Sequence, residues 1–273
     1  MFKIVFISSI LIFSLKANTL LLNKIENLIG TQSFNTHKNL ITLIFKNEED
    51  FSIGKNLNYI EILNKLKENG LLKLRLPKPK EILVEFRTNH DPIKSLKILN
   101  DTLKSLGYYY FFTKKTKYNG KGDLYWSIKL KTRAVIDPLI LAIELKNHNS
   151  QIINITKKEN DNWEFIIDTL YSDIKDALFI DKNEKVSFKK PLKPYLIKIN
   201  KATKLEVLSK KLNNWYPHIV FYDQHLNILR VIKEDFLTKQ LSIKIPKNST
   251  YIKVTDLYTL INIKRGLIIS IKD

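Results

Sequence analysis

An Asp-Pro pair occurs twice in this sequence, at Asp91–Pro92 and at Asp137–Pro138, and it limits where helices can begin. Each pair follows an alternating apolar segment and precedes a segment whose apolar residues have helical spacing. Aspartate favours the N-cap of a helix and proline favours its first turn, so both pairs predict helix starts. The sequence therefore predicts a strand–helix–strand unit that is used twice.

Residues 81–170 are accordingly predicted to form a ferredoxin-like domain of the order βαββαβ. Right-handed crossovers place both of its helices on one face of a four-stranded antiparallel sheet. A further strand at Trp163–Thr169 is expected to extend that sheet as a hairpin. The four main strands are expected at 82–88, at the aromatic run 108–113, at 124–132 and at 151–158.

A module is predicted on either side of this domain. Residues 18–76 read as a small α+β module, and "PKPK" at 77–80 reads as a short linker. Residues 182–273 alternate in short segments between turn residues, which is typical of an all-β sandwich. The fold class is therefore α+β, with N-terminal βαβ-type modules and a C-terminal β-sandwich. Within 18–76 the predicted elements are a helix from about Leu20 to Leu28, a strand at 39–45, a helix at 57–70 and a strand at 71–76.

The N-terminus has the layout of a secretory signal peptide, predicted at residues 1–17. Lys3 precedes an apolar or small stretch from Ile4 to Leu15, and Ala17 suits cleavage before Asn18. The apolar stretch is shorter than the roughly 20 residues that a spanning helix needs. An uncleaved anchor is the alternative. Because no later stretch is long and apolar enough to span, the processed chain is expected in the periplasm without a transmembrane segment.

The composition limits the kinds of site and partner that this chain can have. The chain has no cysteine, which excludes disulfides, thiolate metal sites and a cysteine nucleophile. Its formal net charge is +19, which invites an anionic partner such as nucleic acid, a membrane surface or a cell-wall polymer. The basic residues are nearly all lysines and are spread along the chain, whereas phosphate recognition favours the planar fork of arginine. A solvated basic surface is therefore favoured over a nucleic-acid site.

The aromatic run "YYYFF" predicts a strand that packs one set of rings under the helices and presents the other on the open face of the sheet, for burial against a neighbouring segment or a partner. Aromatic rings beside cations also suit single-stranded RNA, but export removes the chain from nucleic acid. A protein partner in the cell envelope is therefore predicted, with no nucleic acid bound. The partner-binding residues are expected to be Arg87, Tyr109, Phe111, Tyr125 and Lys129.

Two further groups of residues carry alternatives. Trp215 and Tyr216 lie at a loop-to-strand junction, where they either stack on a sugar or anchor the core. His218, Asp223 and His225 share one hairpin, which supplies too few ordered ligands for a metal and reads better as a turn. No nucleophile, acid–base, phosphate-loop or dinucleotide motif is present, so no catalytic residue, cofactor or metal is predicted. A motif-free enzyme stays open as an alternative.

The phrases "LLLNKIENLIG", "LKENGLLKL" and "DTLKSLGYYYF", behind a signal peptide, resemble conserved periplasmic proteins of Campylobacter-type bacteria. This resemblance covers about residues 1–170, implies the periplasm and carries over no catalytic residue. The sequence thus predicts a non-enzymatic periplasmic protein that docks onto a cell-envelope partner. The alternative is a protein that binds peptidoglycan or another glycan through the C-terminal sandwich.

Overall fold

The computed structural model describes residues 20–120 and 122–273, so the predicted signal peptide lies outside the described residues. The chain divides into two units, Met1–Asp173 and Ile174–Asp273. It is a mixed α+β protein in which the α-helices belong to the first unit and the second consists mostly of strands.

The first unit begins with helices, and the strand predicted at 39–45 is wrong. That segment is α3, Lys38–Ile44. Ile41 and Phe45, four residues apart, are buried, whereas Leu40 and Leu43 are exposed. This is helical spacing with one apolar stripe, and the β-branched residues of the segment obscured it. The other elements of this region are α1 (20–29), α2 (Thr31–Thr36), a 3-10 turn (Glu48–Phe51), β1 (Ser52–Ile53), β2 (Asn56–Leu57) and α4 (Tyr59–Glu68).

The rest of the first unit forms a five-stranded sheet in the order β4-β5-β3-β7-β6. β3 pairs antiparallel with β5 and parallel with β7. The sheet is therefore not fully antiparallel as predicted, because the hairpin strand β7 lies between β3 and β6 instead of at an edge. The elements are β3 (Arg75–Thr88), α5 (Pro92–Ser105), β4 (Phe112–Tyr118), β5 (Leu124–Ala134), α6 (Pro138–Asn147), β6 (Gln151–Lys157), a 3-10 turn (Glu159–Asp161) and β7 (Trp163–Asp168).

The "PKPK" segment at 77–80 is not a free linker, because it lies within β3. The pairing of β3 with β5 is irregular between Arg75 and Lys80, and it is continuous from Lys80 onward. A proline cannot donate a ladder hydrogen bond, so an irregular stretch is where a strand tolerates two prolines.

The two Asp-Pro pairs begin helices by different means. The Asp137 carboxylate accepts hydrogen bonds from the backbone N–H groups of Leu139 and Ile140, at 3.0 and 3.3 Å. Asp91 occupies the N-cap position of α5 in a left-handed conformation, and its side chain forms no capping hydrogen bond. Its carboxylate instead pairs with Lys94 at 2.6 Å. The predicted helix starts are confirmed, but only one of them uses the expected cap.

One hydrophobic core fills the first unit. The Phe86 ring lies between Trp126 and Phe165, with centroids 5.5 and 5.7 Å away. The same cluster includes Leu21 of α1 and Ile62 of α4. Residues from both segments that were predicted as separate modules, 18–76 and 81–170, therefore share one core.

The second unit contains two sheets that share one buried cluster. Their strand orders are β13-β12-β15-β10-β8 and β14-β11-β16-β9. The short strands predicted across 182–273 are present, and β8 lies just before the segment in which strands were predicted. The strands are β8 (Leu178–Ile180), β9 (Lys185–Ser187), β10 (Tyr195–Ile199), β11 (Lys204–Ser209), β12 (Pro217–Tyr222), β13 (Ile228–Lys233), β14 (Gln240–Lys244), β15 (Tyr251–Asp256) and β16 (Leu267–Lys272), with a 3-10 turn at Leu260–Ile263.

Candidate protein-docking surface

The five-stranded sheet has one face against the core and one open face. Successive side chains of a strand point to opposite faces, so Val84 and Phe86 are buried while Glu85 and Arg87 lie on the other side. The register extends this face across three strands, because Arg87 pairs with Tyr125 on β5 and with Ile166 on β7. The open face is thus defined by sheet geometry and not by a loop.

An ion-pair network covers the centre of the open face. Arg87 donates to Glu164 at 2.6 Å, and Lys158 lies 3.3 Å from the other oxygen of Glu164. Lys158 and the Tyr125 hydroxyl both donate to Glu85. The guanidinium carbon of Arg87 lies 4.9 Å from the centre of the Tyr125 ring, which is cation–π geometry. Five side chains therefore hold one another in place.

The surroundings shift the pKa values of Glu85, Arg87 and Tyr125 away from their ordinary values. Partial burial by itself raises the pKa of Glu85, but the hydrogen bonds from Lys158 and Tyr125 outweigh it and lower the pKa below 4.5. The hydrogen bond to Glu164 raises the pKa of Arg87. Partial burial and then the bond to Glu85 raise the pKa of Tyr125. At neutral pH these groups keep fixed protonation states, which suits a structural platform better than proton transfer.

The structure brings together three of the five predicted partner-binding residues. Arg87 and Tyr125 are paired neighbours, and Lys129 lies on the same face, where it bonds Glu81 at 2.5 Å. Phe111 does not join them. Its ring meets Trp126 edge to face at 5.6 Å, on the core side of the sheet. The expected position of Phe111 on the open face is therefore wrong.

The reason is that the aromatic run is mostly not a strand. Residues 108–111 precede β4, which begins at Phe112, so the expected alternation does not apply to them. Tyr109 is exposed, and Tyr110 is 94% exposed. Tyr108 and Phe111 pack against the core cluster. The run thus divides into two rings that anchor the segment and two that face solvent.

The strand predicted at 108–113 lies further along the chain, as β4 at Phe112–Tyr118. All seven residues of this strand are exposed, and it forms one edge of the sheet. Phe112, Lys115 and Lys117 pair with Lys129, Ser127 and Tyr125, so they continue the open face to its edge. The lysine alternation in "FTKKTKY" was the available signal. We call the following residues the docking edge: Tyr109, Tyr110, Phe112, Lys114, Lys115, Lys117 and Tyr118.

The docking edge is basic without local compensation. Within the described ranges, Lys114, Lys115 and Lys117 form no salt bridge, whereas Lys129 and Lys158 on the open face do. A cavity of about 490 Å³ lies where the edge meets the open face, lined in part by Arg87 and Tyr125. β4 therefore adds uncompensated positive charge at the edge of the open face.

The predicted glycan pair of the second unit occupies another environment. Trp215 is fully buried, and its indole N–H donates to the Thr255 carbonyl at 3.0 Å. Tyr216 is half-buried and meets Tyr258 edge to face at 5.0 Å. The Trp215 ring therefore presents no face to a sugar and anchors the core, which was the alternative reading of these residues.

A cleft of about 950 Å³ lies at the opposite end of the second unit, where no ligand site was predicted. Its lining includes the exposed Phe179 ring and three lysines, Lys198, Lys201 and Lys247. Asp223 also lines it, but the carboxylate accepts bonds from the N–H groups of His225 and Asn227 and so closes the turn. The net charge of the cleft lining is positive.

The turn predicted in the hairpin of His218, Asp223 and His225 is present. His225 follows Asp223 in the turn between β12 and β13, and His218 lies at the other end of β12. Partial burial and then the charges of Lys253 and Lys233 lower the pKa of His218. Across residues 20–120 and 122–273, no three His, Asp or Glu side chains group in a way that could hold a metal ion.

Comparisons with known proteins supply no relative. No protein-family model, curated protein or solved structure matches the chain. None of the helices in the described part of the chain has the length and apolar character to cross a membrane.

Proposed function

We propose that this chain is a non-enzymatic periplasmic protein that docks onto a cell-envelope protein through the docking edge of its first unit. The carrying observation is that β4 is exposed at every residue while it presents aromatic rings and unpaired lysines. Exposed apolar surface rimmed by charge typically marks an interaction site.

An extended acidic segment of the partner fits this edge. An edge strand offers unpaired backbone groups that a second chain can pair with, and side-chain contacts then give specificity. Tyr110 and Phe112 supply large rings, and the three unpaired lysines of the edge attract carboxylates. A second copy of this chain fits less well, because its own lysines would lie opposite these.

Edge lysines also serve in many proteins to prevent aggregation, which is the plain alternative for β4. The exposed rings distinguish the two readings, because Tyr109, Tyr110, Phe112 and Tyr118 add the apolar surface that protective lysines normally replace. The ion-pair network behind them supports the docking role, since it holds Arg87 and Tyr125 in fixed positions beside the edge.

The finer architecture is part of this proposal. The order β3-α5-β4-β5-α6-β6, with β5 between β3 and β4, supports a ferredoxin-like unit that carries β7 as an inserted strand. Two sheets with a common core support a β-sandwich for the second unit. Small modules of both kinds host many functions, so the surface and not the fold carries the functional argument.

The periplasmic location is supported by the signal-like N-terminus and by the resemblance stated above. Its test is to isolate the protein from a periplasmic extract and sequence its N-terminus, which is expected to begin at Asn18. Recovery of the intact chain from the cytosol would contradict this location and leave the docking test below unaffected.

The docking proposal is tested by affinity capture from the periplasm with single surface variants. Tyr110→Ser and Lys117→Glu are expected to lose a partner that the original chain retains, at least tenfold. Tyr171→Ser and Lys46→Glu are matched controls, because both residues are exposed and lie elsewhere in the first unit. Equal capture by all four variants would refute the docking edge, and circular dichroism checks that each is folded.

A glycan-binding role for the second unit is the alternative, and the cleft that contains Phe179 and three lysines favours it. An exposed ring beside cations suits an acidic sugar polymer. Co-sedimentation with purified peptidoglycan is expected to fall when Lys201 and Lys247 are both changed to Glu. Sedimentation that is unchanged in this variant would eliminate the cleft as a glycan site.

A further inference from the structure

Four loops meet at the end of the second unit that lies away from the cleft. They comprise residues 188–194, 210–216, 234–239 and 257–266, and each connects a strand of one sheet to a strand of the other. The register places their strand ends together, since Pro217 pairs with Asp256 and Ser209 pairs with Leu267.

Each of these loops exposes large apolar side chains. They are between 51% and 93% exposed, although neighbouring positions in the same loops, such as Trp215 and Ile263, are fully buried. Scattered exposed leucines are normal on proteins, but a group from four loops at one end is not. We call this group the apolar tip: Leu192, Leu212, Phe236, Leu237, Tyr258 and Ile261.

Hydrogen bonds join the loops into one frame. The Thr238 N–H donates to the Trp215 carbonyl at 2.9 Å, and the Asn214 N–H donates to the Asn262 carbonyl at 2.9 Å. The Lys210 ammonium donates to the Phe188 carbonyl at 2.6 Å. Loop 210–216 is thus hydrogen-bonded to each of the other three loops. These bonds hold the loops that carry the apolar tip in an ordered arrangement.

Leu212 has an unfavourable backbone conformation. Its φ of 67° lies in the left-handed region, which is unfavourable by about 1–2 kcal/mol for a residue with this side chain. The buried Asn213 beside it donates to the Gly266 carbonyl at 2.8 Å and accepts from the Arg265 N–H at 3.0 Å. These bonds keep the loop in a conformation that projects an exposed leucine. Such strain is characteristic of functional positions.

The loops are also strongly basic. Together they contain eight lysines or arginines and two acidic residues, Glu234 and Asp235. Lysine stands beside or near the apolar residue in "KKPLKP", "KKLNN" and "DFLTK". Among the described residues, five of these cations form neither a salt bridge nor a side-chain hydrogen bond: Lys189, Lys190, Lys211, Lys264 and Arg265.

We propose that the apolar tip inserts into the surface of a bilayer that carries anionic headgroups. Shallow insertion of apolar side chains combined with lysines at headgroup level is how peripheral proteins gain membrane affinity. An extended protein segment of the kind proposed for the docking edge fits less well, because the tip consists of loops and offers no edge strand for backbone pairing. This membrane site uses no residue of the docking edge and stands independently of it.

The test is co-sedimentation of the full-length protein with vesicles of phosphatidylcholine alone and of phosphatidylcholine mixed with phosphatidylglycerol. Binding to the anionic vesicles is expected to be about tenfold tighter and to weaken with added salt. The double variant Leu192→Ser, Leu212→Asn and the single variant Lys211→Glu are each expected to lower it about tenfold. Residues 1–17 are common to all variants, and the vesicles of phosphatidylcholine alone measure the binding that their apolar stretch contributes, so only the increase on anionic vesicles is assigned to the tip.

Matched controls lie at the cleft end of the same unit. Ile228→Ser removes an exposed apolar side chain and Lys244→Glu reverses an exposed charge outside the cleft lining, and both are expected to leave vesicle binding unchanged. Asparagine tolerates the left-handed backbone, so Leu212→Asn keeps the loop folded. Equal binding by tip and control variants would overturn the proposal. So would tip variants that lose a protein partner while they retain the vesicles.

Discussion

The apolar sheet faces of the two units are covered in different ways. In the first unit, helices cover one face of the five-stranded sheet, and an ion-pair network lies across its other, open face. In the second unit, two sheets share a buried cluster and cover each other. The candidate surface of the first unit is consequently a face and its edge, whereas that of the second is its loop ends. The difference shows that a covered sheet leaves only its loops for binding, whereas a sheet with one open face also offers that face and its edge strand.

The largest effect that separates the units is expected from Phe86→Ala. The ring is fully buried between Trp126 and Phe165, so its loss leaves a cavity that costs about 3–5 kcal/mol. Calorimetry is expected to show a lower transition for the first unit and an unchanged one for the second. Phe112→Ala, at an exposed ring, is the control, with a change within about 0.5 kcal/mol. A joint shift of both transitions would mean that the units do not unfold separately.

A matching change in the second unit is Gly266→Ala. Gly266 has a φ of 84°, and an added Cβ would lie 2.0 Å from the Phe188 carbonyl oxygen. Backbone strain and the clash together are expected to cost more than about 2 kcal/mol. Gly70→Ala is the control, because its φ is 67° and no atom lies within 4 Å of the added Cβ. Urea unfolding should show about 1 kcal/mol for the control, and equal losses would disprove the clash.

Replacing the central carboxylate of the open face tests whether its network stabilises the first unit. Glu85→Gln is expected to cost about 1 kcal/mol or less at neutral pH. The folded-state pKa of Glu85 lies below 4.5, so its contribution is complete above about pH 4.5 and is lost as pH falls through the lowered pKa. The stability difference between the two proteins should therefore disappear in acid. A difference that persists at low pH would assign the effect to packing instead of charge.

The smallest expected effect is a gain. Leu212→Asn removes an exposed leucine from a left-handed position, and asparagine adopts this conformation more readily. The free energy of unfolding of the second unit is expected to rise by about 0.5–1 kcal/mol in urea titrations. Leu192→Ser, at an equally exposed tip residue outside the left-handed positions, should leave stability unchanged. A loss of stability in Leu212→Asn would show that the leucine contributes to packing.

Periodicity predicted the strands of the second unit well, because short alternating segments between turns have few other interpretations. It failed at Lys38–Ile44, where a run of apolar residues suits a strand or a helix equally and only tertiary packing decides. It also could not show that β7 enters the sheet between β3 and β6, since strand order depends on contacts distant in sequence. The predicted site was partly right for a similar reason. Alternation identified Arg87, Tyr125 and Lys129, but no local pattern marked Phe111 as the ring that packs on Trp126.

The position of β7 also sets the order in which the first unit can be completed. β3 and β6 are not neighbours until residues 163–168 fill the gap between them, and β7 is the last strand of the unit to be synthesised. A polypeptide that stops before Trp163 has the three strands β4-β5-β3 and the separate strand β6, without the strand that pairs with both β3 and β6. Until residues 163–168 have been synthesised, the nascent chain therefore has an unpaired inner edge on β3 and needs protection from aggregation.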